Sequence, residues 1–394
     1  VFLRFQWDIL LLETGFLALL FAPWTCRPRL DREPPPSRIV RVLLGLLLFR
    51  LMFSSGIVKL LDDNPVGLEW HRLTALSYHF QTQCLPNPVA WLAHQLPAQF
   101  LKLSVLAMFC IEIGVPFLFF LPRRARILAF FLQALLQLLI IVTGNYGFFN
   151  WLTLALCIPL LDDAFVRRFL PRRLREIPPS DPQRAPLPRP QKWVIVPLAL
   201  ILLVLNAAWM ADTLRSDRRE RIFGHLPHSV RALVSATAPF QLVNPYGLFR
   251  SMTTRRPEII IEGSDDGHTW QPYEFKYKPG PLDRPPPFVA PHQPRLDWQM
   301  WFAALGDLRS PHNRWFLALA KRLLEGSPDV LDLLETNPFP DRPPRFLRAE
   351  LFDYRFTTWA ERLDEGHWWR RTHLRSYLPP VTLERFRRGR QTPP

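Results

Sequence analysis

Five long apolar runs in the first 211 positions constrain this 394-residue chain more than any other feature. About twenty apolar residues in helix cross a hydrocarbon core. Runs at Phe2 to Ala22, Ile39 to Leu61, Leu101 to Leu121, Ile127 to Val142 and Trp193 to Ala211 approach or meet that length. A sixth run, Phe148 to Leu161, has only fourteen residues and reads as a tilted or re-entrant segment. From 212 to 394 nothing is long enough to cross, and the composition turns polar, basic and rich in Pro, Trp and Phe. A single soluble globule is therefore excluded, and 30 Phe with 14 Trp are more aromatic surface than a disordered tail carries. The expected fold is a multi-pass α-helical membrane domain over 1–211, of about six segments, followed by a mixed α+β soluble domain over 212–394. Val1 stands inside the first run, so the chain is expected to be truncated at its N-terminus.

The formal charge of +15 is almost all arginine, because Lys occurs only at 59, 102, 192, 276, 278 and 321. Much of it fills short loops beside apolar runs, where it signals topology rather than nucleic-acid binding. Arg27, Arg29, Arg32, Arg38 and Arg41 occupy the first loop. Arg123, Arg124 and Arg126 occupy the third, and Arg167, Arg168, Arg172, Arg173, Arg175, Arg184 and Arg189 a Pro- and Arg-rich linker over 162–192. The positive-inside rule places these in the cytoplasm. The loop 62–100, with Arg72 alone against Asp62, Asp63 and Glu69, and the uncharged turn Gly144 to Gly147 then face outward. The short sixth segment must cross for both arginine-rich loops to share a side, and the run after Lys192 delivers the C-terminal half outside.

Arg50 and Glu112 lie near the centres of their runs, where an unpaired charge costs about 3 kcal/mol or more, so they are expected to pair. The pair is either a relay or counter-ion for a substrate, or a structural lock on helix register. Gln133 and Gln137, four apart on one face, are expected to bond across helices. Lys59 is expected to snorkel from a helix end, and Asn145 and Asn150 to cap the outward turn. Among the outward histidines His71, His79 and His94, no two share a metal-ligand spacing. His71 and His79 remain loop-contact candidates within a segment that reads as interfacial through Trp70, Tyr78 and Trp91.

In the soluble half, Glu258 to Gly263 and Trp270 to Lys278 flank SDDG and predict a β-hairpin. Arg295 to Leu305, Arg314 to Leu324 and a short segment capped by Ser327 predict helices, and Arg345 to Thr358 with His367 to Tyr377 a second strand pair. Leu296, Met300, Ala303 and Ala304 form one apolar stripe, which leaves Trp298, Trp301 and Phe302 as candidate contacts for a client protein. GxSxG, P-loop and HExxH patterns are all missing, and His292 with Asp297 has no converging nucleophile, so no enzyme, cofactor or metal is expected. The four cysteines form no CxxC pair.

The strings NPYGLFRSMTTRRPEIIIEGSDDGHTWQPYEFKYKPG (244–280), VAPHQPRLDWQMWFAALG (289–306), NPFPDRPPRFLRAELFDYRFT (337–357) and WHRLTALSYHFQTQCLPNP (70–88) resemble the lipase maturation factor family. That resemblance implies a non-catalytic, multi-pass protein with a soluble region on the lumenal side of the endoplasmic reticulum in eukaryotes. There the family assists folding and assembly of secreted lipases, so the implied partners are an exported, lipase-like client and the lipid bilayer, with no nucleic acid. The outward region holds no N-x-[ST] acceptor, and with the arginine bias this suggests a bacterial member in the cytoplasmic membrane, its C-terminal domain outside. The alternative is a membrane enzyme or transporter handling a lipid-like substrate around Arg50, Glu112, Gln133 and Gln137.

Overall fold

A computed structural model describes residues 5–24, 36–61, 68–175, 189–214 and 227–388. Arg27, Arg29, Arg32, Cys26, Asp62, Asp63 and most of the Pro-rich linker, Arg184 included, lie outside the described residues. The chain divides into two compact units. The first comprises Val1–Ala75, Gln99–Ile140 and Phe148–Met252; the second comprises Leu76–Ala98, Ile141–Gly147 and Thr253–Pro394.

The first unit is helical. Its main elements are α1 (Gln6–Phe21) and α2 (Arg38–Leu60), with α3 (Leu76–Thr82) and α4 (Pro88–His94) belonging to the second unit. It continues with α5 (Ala98–Phe109), α6 (Arg123–Thr143) and α7 (Phe149–Cys157). The short α8 (Asp163–Val166) and α9 (Arg172–Arg175) precede α10 (Arg189–Leu214) and α11 (His228–Thr237). Four helical stretches among the described residues are long and apolar enough to cross a membrane: Arg38–Leu60, Ala98–Phe120, Arg123–Thr143 and Lys192–Leu214. The first run appears as the 16-residue α1, and the sixth as the shorter apolar helix Phe149–Leu160. Leu103, Phe131, Leu139 and Leu200 point out of the bundle, as a lipid-facing surface requires.

The stretch Ala98–Phe120 changes its winding partway. Pro116 lacks the N–H that would bond the carbonyl of residue 112, so the α ladder cannot continue. The backbone widens into a π turn at Cys110–Gly114 and tightens into a 3-10 turn at Val115–Phe120. Glu112 sits on the widened turn. It packs against Gly56 of α2, where an added Cβ would lie 2.6 Å from Ile113 Cγ1 and 3.0 Å from Glu112 Cβ.

In the second unit a four-stranded antiparallel sheet runs in the order β2-β1-β5-β6. Its strands are β1 (Arg256–Ser264), β2 (Gln271–Pro272), β5 (Phe346–Phe356) and β6 (Trp369–Val381). The expected hairpin is present, with Gly263 opposite Gln271 and Gly267 at φ 78° in its turn. Its return strand splits, because β3 (Glu274–Phe275) leaves to pair with β4 (Leu334–Thr336). Asp266 holds the turn by accepting from the amides of His268 and Thr269, which keeps its carboxyl well below the usual carboxylate range.

Alternation along β1 and β5 assigns the two faces of this sheet. Ile259, Ile261, Leu347, Ala349 and Leu351 join Met300 and Ala303 of α12 (Arg295–Ala304) and Phe316 and Leu323 of α13 (Arg314–Leu324) in the main core. The opposite face carries Arg256, Glu258, Tyr354 and Phe356, and the polypeptide of α3 and α4 lies against it. The unit is completed by α14 (Pro328–Leu331), α15 (Trp359–Glu365) and α16 (Leu383–Arg388). Ser327 precedes α14 without a side-chain capping bond, whereas Thr358 and Glu361 form a full capping box on α15.

Candidate functional site

Among the described residues two ion pairs are buried inside the helical unit, and neither joins Arg50 to Glu112. Arg50 donates to Glu13 of α1 and to Asn206 of α10, all three on apolar helices. The second oxygen of Glu13 accepts from Asn244 at 3.1 Å and from Tyr246 at 2.9 Å, and the Tyr246 ring lies 5.5 Å below the guanidinium. The NPYG string thus returns to the helices and completes the carboxylate's shell. Glu112 instead accepts from Lys59 at 2.5 Å, and the same ammonium reaches the Ser55 carbonyl at 2.9 Å and faces the Trp70 ring at 5.2 Å. Lys59 is therefore no snorkelling residue; it is 2 % exposed.

The physical reason for the correction is angular as well as vertical. Arg50 and Lys59 are nine positions apart on α2, half a helical turn out of phase, so they point to different neighbours. Glu13 stands near the midpoint of the first apolar run, at a depth that also suits a partner for Arg50, and that position is the signal for it in the sequence. Gln133 donates to the Ile111 carbonyl, and Gln137 accepts from Asn150 at 2.7 Å. Asn150 therefore links helices where a cap was expected.

In the second unit Arg256 organises the end of α3 and the segment that follows it. Buried to 1 % exposure, it donates to the carbonyls of Gln81, Gln83 and Cys84 and lies 2.8 Å from Glu258. Lys278 approaches the other Glu258 oxygen at 3.1 Å. Two buried cations thus share one buried carboxylate, and burial draws the Arg256 pKa down while lifting that of the neighbouring Cys84 thiol. Asn145 uses all its hydrogen-bonding capacity: it donates to Pro86 and Pro287 and accepts from the amides of Val289 and Ala290. It ties three strings of the unit together and caps nothing.

The histidines separate. His71 is exposed in the first unit and contacts the Leu60 carbonyl at 3.0 Å. His79 lies 3.0 Å from the Tyr146 hydroxyl, which donates to Gln83 at 2.7 Å. His94 packs on Phe356. Among the described residues no three His, Cys, Asp or Glu gather as metal ligands. Asp297 accepts from the amides of Tyr277 and Lys278, which gives it a turn-fixing role.

The aromatic trio of α12 does not form an open patch. Trp298 is 5 % exposed with its ring edge-on to Tyr146, and Trp301 is half-buried, donating to the Thr82 carbonyl at 3.1 Å. Phe302 is the most exposed of the three, at 36 %. The helix has two buried sides, one against the sheet and one against the α3 and Gly144–Gly147 segments, so a surplus of aromatics over a single stripe does not imply exposure. The open surface lies elsewhere, on the edge strand β6, where the seven residues Arg370 to Ser376 are all exposed.

The family profile for the lipase maturation factor transmembrane domain matches residues 1–168, and that for the lipase maturation factor C-terminal domain matches 242–379. The chain is 39 % identical to lipase maturation factor 2 of Homo sapiens over 97 % of its own length and 67 % of that protein. It is 36 % identical to lipase maturation factor 1 of Mus musculus over 98 % of its length and 67 % of that protein. It therefore spans about two thirds of these relatives. No solved structure matches it. Together, the two profiles and the coverage of these relatives show that the chain belongs to the lipase maturation factor family.

Proposed function

We propose that this chain is a membrane-anchored maturation factor, not an enzyme, which holds an exported lipase on its second unit while that client folds. The observation that carries the reading is the edge of β6. A strand of thirteen residues with seven consecutive exposed positions, and among the described residues no further strand beyond it, offers a row of backbone donors and acceptors past Trp369, whose own amide bonds the Leu282 carbonyl, to an unfolded chain. Arg370, Arg371 and Arg375 surround it with positive charge, which keeps the edge from pairing with its own copies.

The outward orientation is supported by the composition of the second unit. The segments 76–98 and 141–147 pack with 253–388, so all three share one side of the bilayer, and none of them belongs to the arginine-rich loops. The arginine excess and the lack of N-x-[ST] acceptors in the outward region support a bacterial cytoplasmic membrane as the location in this reading. A lipid-like substrate among the helices finds less support, because Arg50, Glu112 and Gln137 are engaged by protein partners.

Photo-crosslinking from Leu374 on β6, in native membranes during client export, tests the proposal. Adducts to a lipase from Leu374, with none from Leu317 on α13, are expected. Adducts from Leu317 alone would move the contact off the edge strand, and adducts from neither would remove the client-holding role.

A further inference from the structure

A cavity of about 380 Å³ opens within the helical unit, between the first turns of α2, the end of Ala98–Phe120 and the end of Phe149–Leu160. Its walls are apolar: Val42, Gly45, Phe119, Phe120, Leu156 and Leu160. Its rim is basic, formed by Arg41, Arg123 and Arg126. Asp162 is the carboxylate beside it, bonded through both oxygens to Arg123 and sensing the charge of Arg126 through space. Three cations thus meet one carboxylate, and among the described residues no acid pairs with Arg41 or Arg126.

That arrangement is electrostatically unfavourable as it stands. Arg41 lies in the first turn of α2 and Arg123 and Arg126 in the first turn of α6, and neither turn contains an acid. Cations there oppose the helix dipole as well as one another. A topology signal requires arginines near the helix ends but does not require them around an apolar cavity.

We propose that this cavity binds an anionic phospholipid, its phosphate held between Arg41 and Arg126 and an acyl chain running along Val42, Gly45 and Phe120. The guanidinium fork suits a phosphate, and basic pockets between membrane helices suit such headgroups. Arg123 is a positioning residue, fixed by Asp162. The apolar walls favour the lipid over a free phosphate ion, which has no use for them. The inference rests on the first unit alone and is independent of the client-holding role.

The test uses the purified full chain in neutral detergent, with binding and thermal stability measured for phosphatidylglycerol, phosphatidylcholine and inorganic phosphate. Phosphatidylglycerol is expected to bind at least ~10-fold more tightly than phosphatidylcholine, about 1.4 kcal/mol, and to raise the melting temperature where inorganic phosphate does not. The double variant Arg41→Gln with Arg126→Gln should lose that preference, while Arg124→Gln, which is exposed and not on the rim, should keep it. Gly45→Leu, which fills the cavity with every arginine intact, should also lose it; an added Cβ there meets Phe120 at an ordinary 3.6 Å. Equal binding of both lipids, equal protection by inorganic phosphate, or an equal loss in Arg124→Gln would each overturn the proposal. Should the double glutamine variant fail to fold, Arg41→Lys with Arg126→Lys keeps the charge, and unchanged preference in Gly45→Leu would then be the overturning result.

Discussion

Arg50 donates to Glu13, and the two residues share the centre of the helical unit with Asn206, Asn244 and Tyr246. Removing one member of a buried pair leaves the other uncompensated, at about 3–5 kcal/mol. Glu13→Leu or Arg50→Leu should therefore abolish expression or lower detergent stability steeply, and the double variant should recover much of it. The matching cycle between Arg50 and Glu112 should show additivity within about 0.5 kcal/mol. A measured coupling there, with none to Glu13, would refute the pairing.

Arg256 holds the carbonyls of Gln81, Gln83 and Cys84. Arg256→Met should cost about 3 kcal/mol and expose 76–98 to limited proteolysis before the sheet itself unfolds. Uniform proteolysis across the unit would show that the segment has no separate dependence on this residue.

Asn145 satisfies four partners at once. Asn145→Ala leaves buried amides and carbonyls unpaired and should cost about 2–3 kcal/mol, and Asn145→Asp, which keeps the two acceptors and loses the two donors, should be intermediate in chemical denaturation.

Trp298→Ser and Phe302→Ser separate core from surface. The first should cost about 3–5 kcal/mol and the second about 0.5 kcal/mol, read as melting temperatures of the whole protein. Equal effects would contradict the two-sided burial of α12.

His94 is half-buried against Phe356, and this partial desolvation lowers its pKa below the usual 6.5. The unfolded chain then binds a proton that the folded chain resists, so stability from this group is present above pH 6.5 and declines as pH falls toward the depressed value. His94→Phe should flatten the acid side of the stability profile below about pH 6.5, and a profile unchanged by the substitution would exclude His94 as its source.

Sidedness is testable by cysteine labelling. A cysteine at Ser180 is expected to react from the cytoplasmic face, and one at Asp265 from the outside. The reverse pattern would invert the proposed orientation.

Local periodicity carried much of the architecture into the sequence. Apolar runs marked the long helices, the SDDG turn marked the hairpin, and alternation over Arg345 to Thr358 and His367 to Tyr377 marked β5 and β6. The stripe Met300, Ala303 and Ala304 also marked the core side of α12. The π turn was legible too, in principle, from Pro116 within an apolar run, since the missing N–H is a local fact. The splitting of the hairpin's return strand was not, because β3 finds its partner at Leu334 to Thr336.

The charges show the limit most clearly. The sequence by itself determined that Arg50 and Glu112 needed partners, because the cost of an unpaired ion depends only on depth. Which partner each takes was decided by the tertiary structure, since helix rotation brings Glu13 and Asn206 to Arg50 and leaves Lys59 for Glu112. The same holds for Asn244, which reaches Glu13 from 231 positions away, and for Trp298, buried by a turn that is remote in sequence. Periodicity is a property of neighbours along the chain, whereas pairing and burial depend on distances that only the closed fold sets.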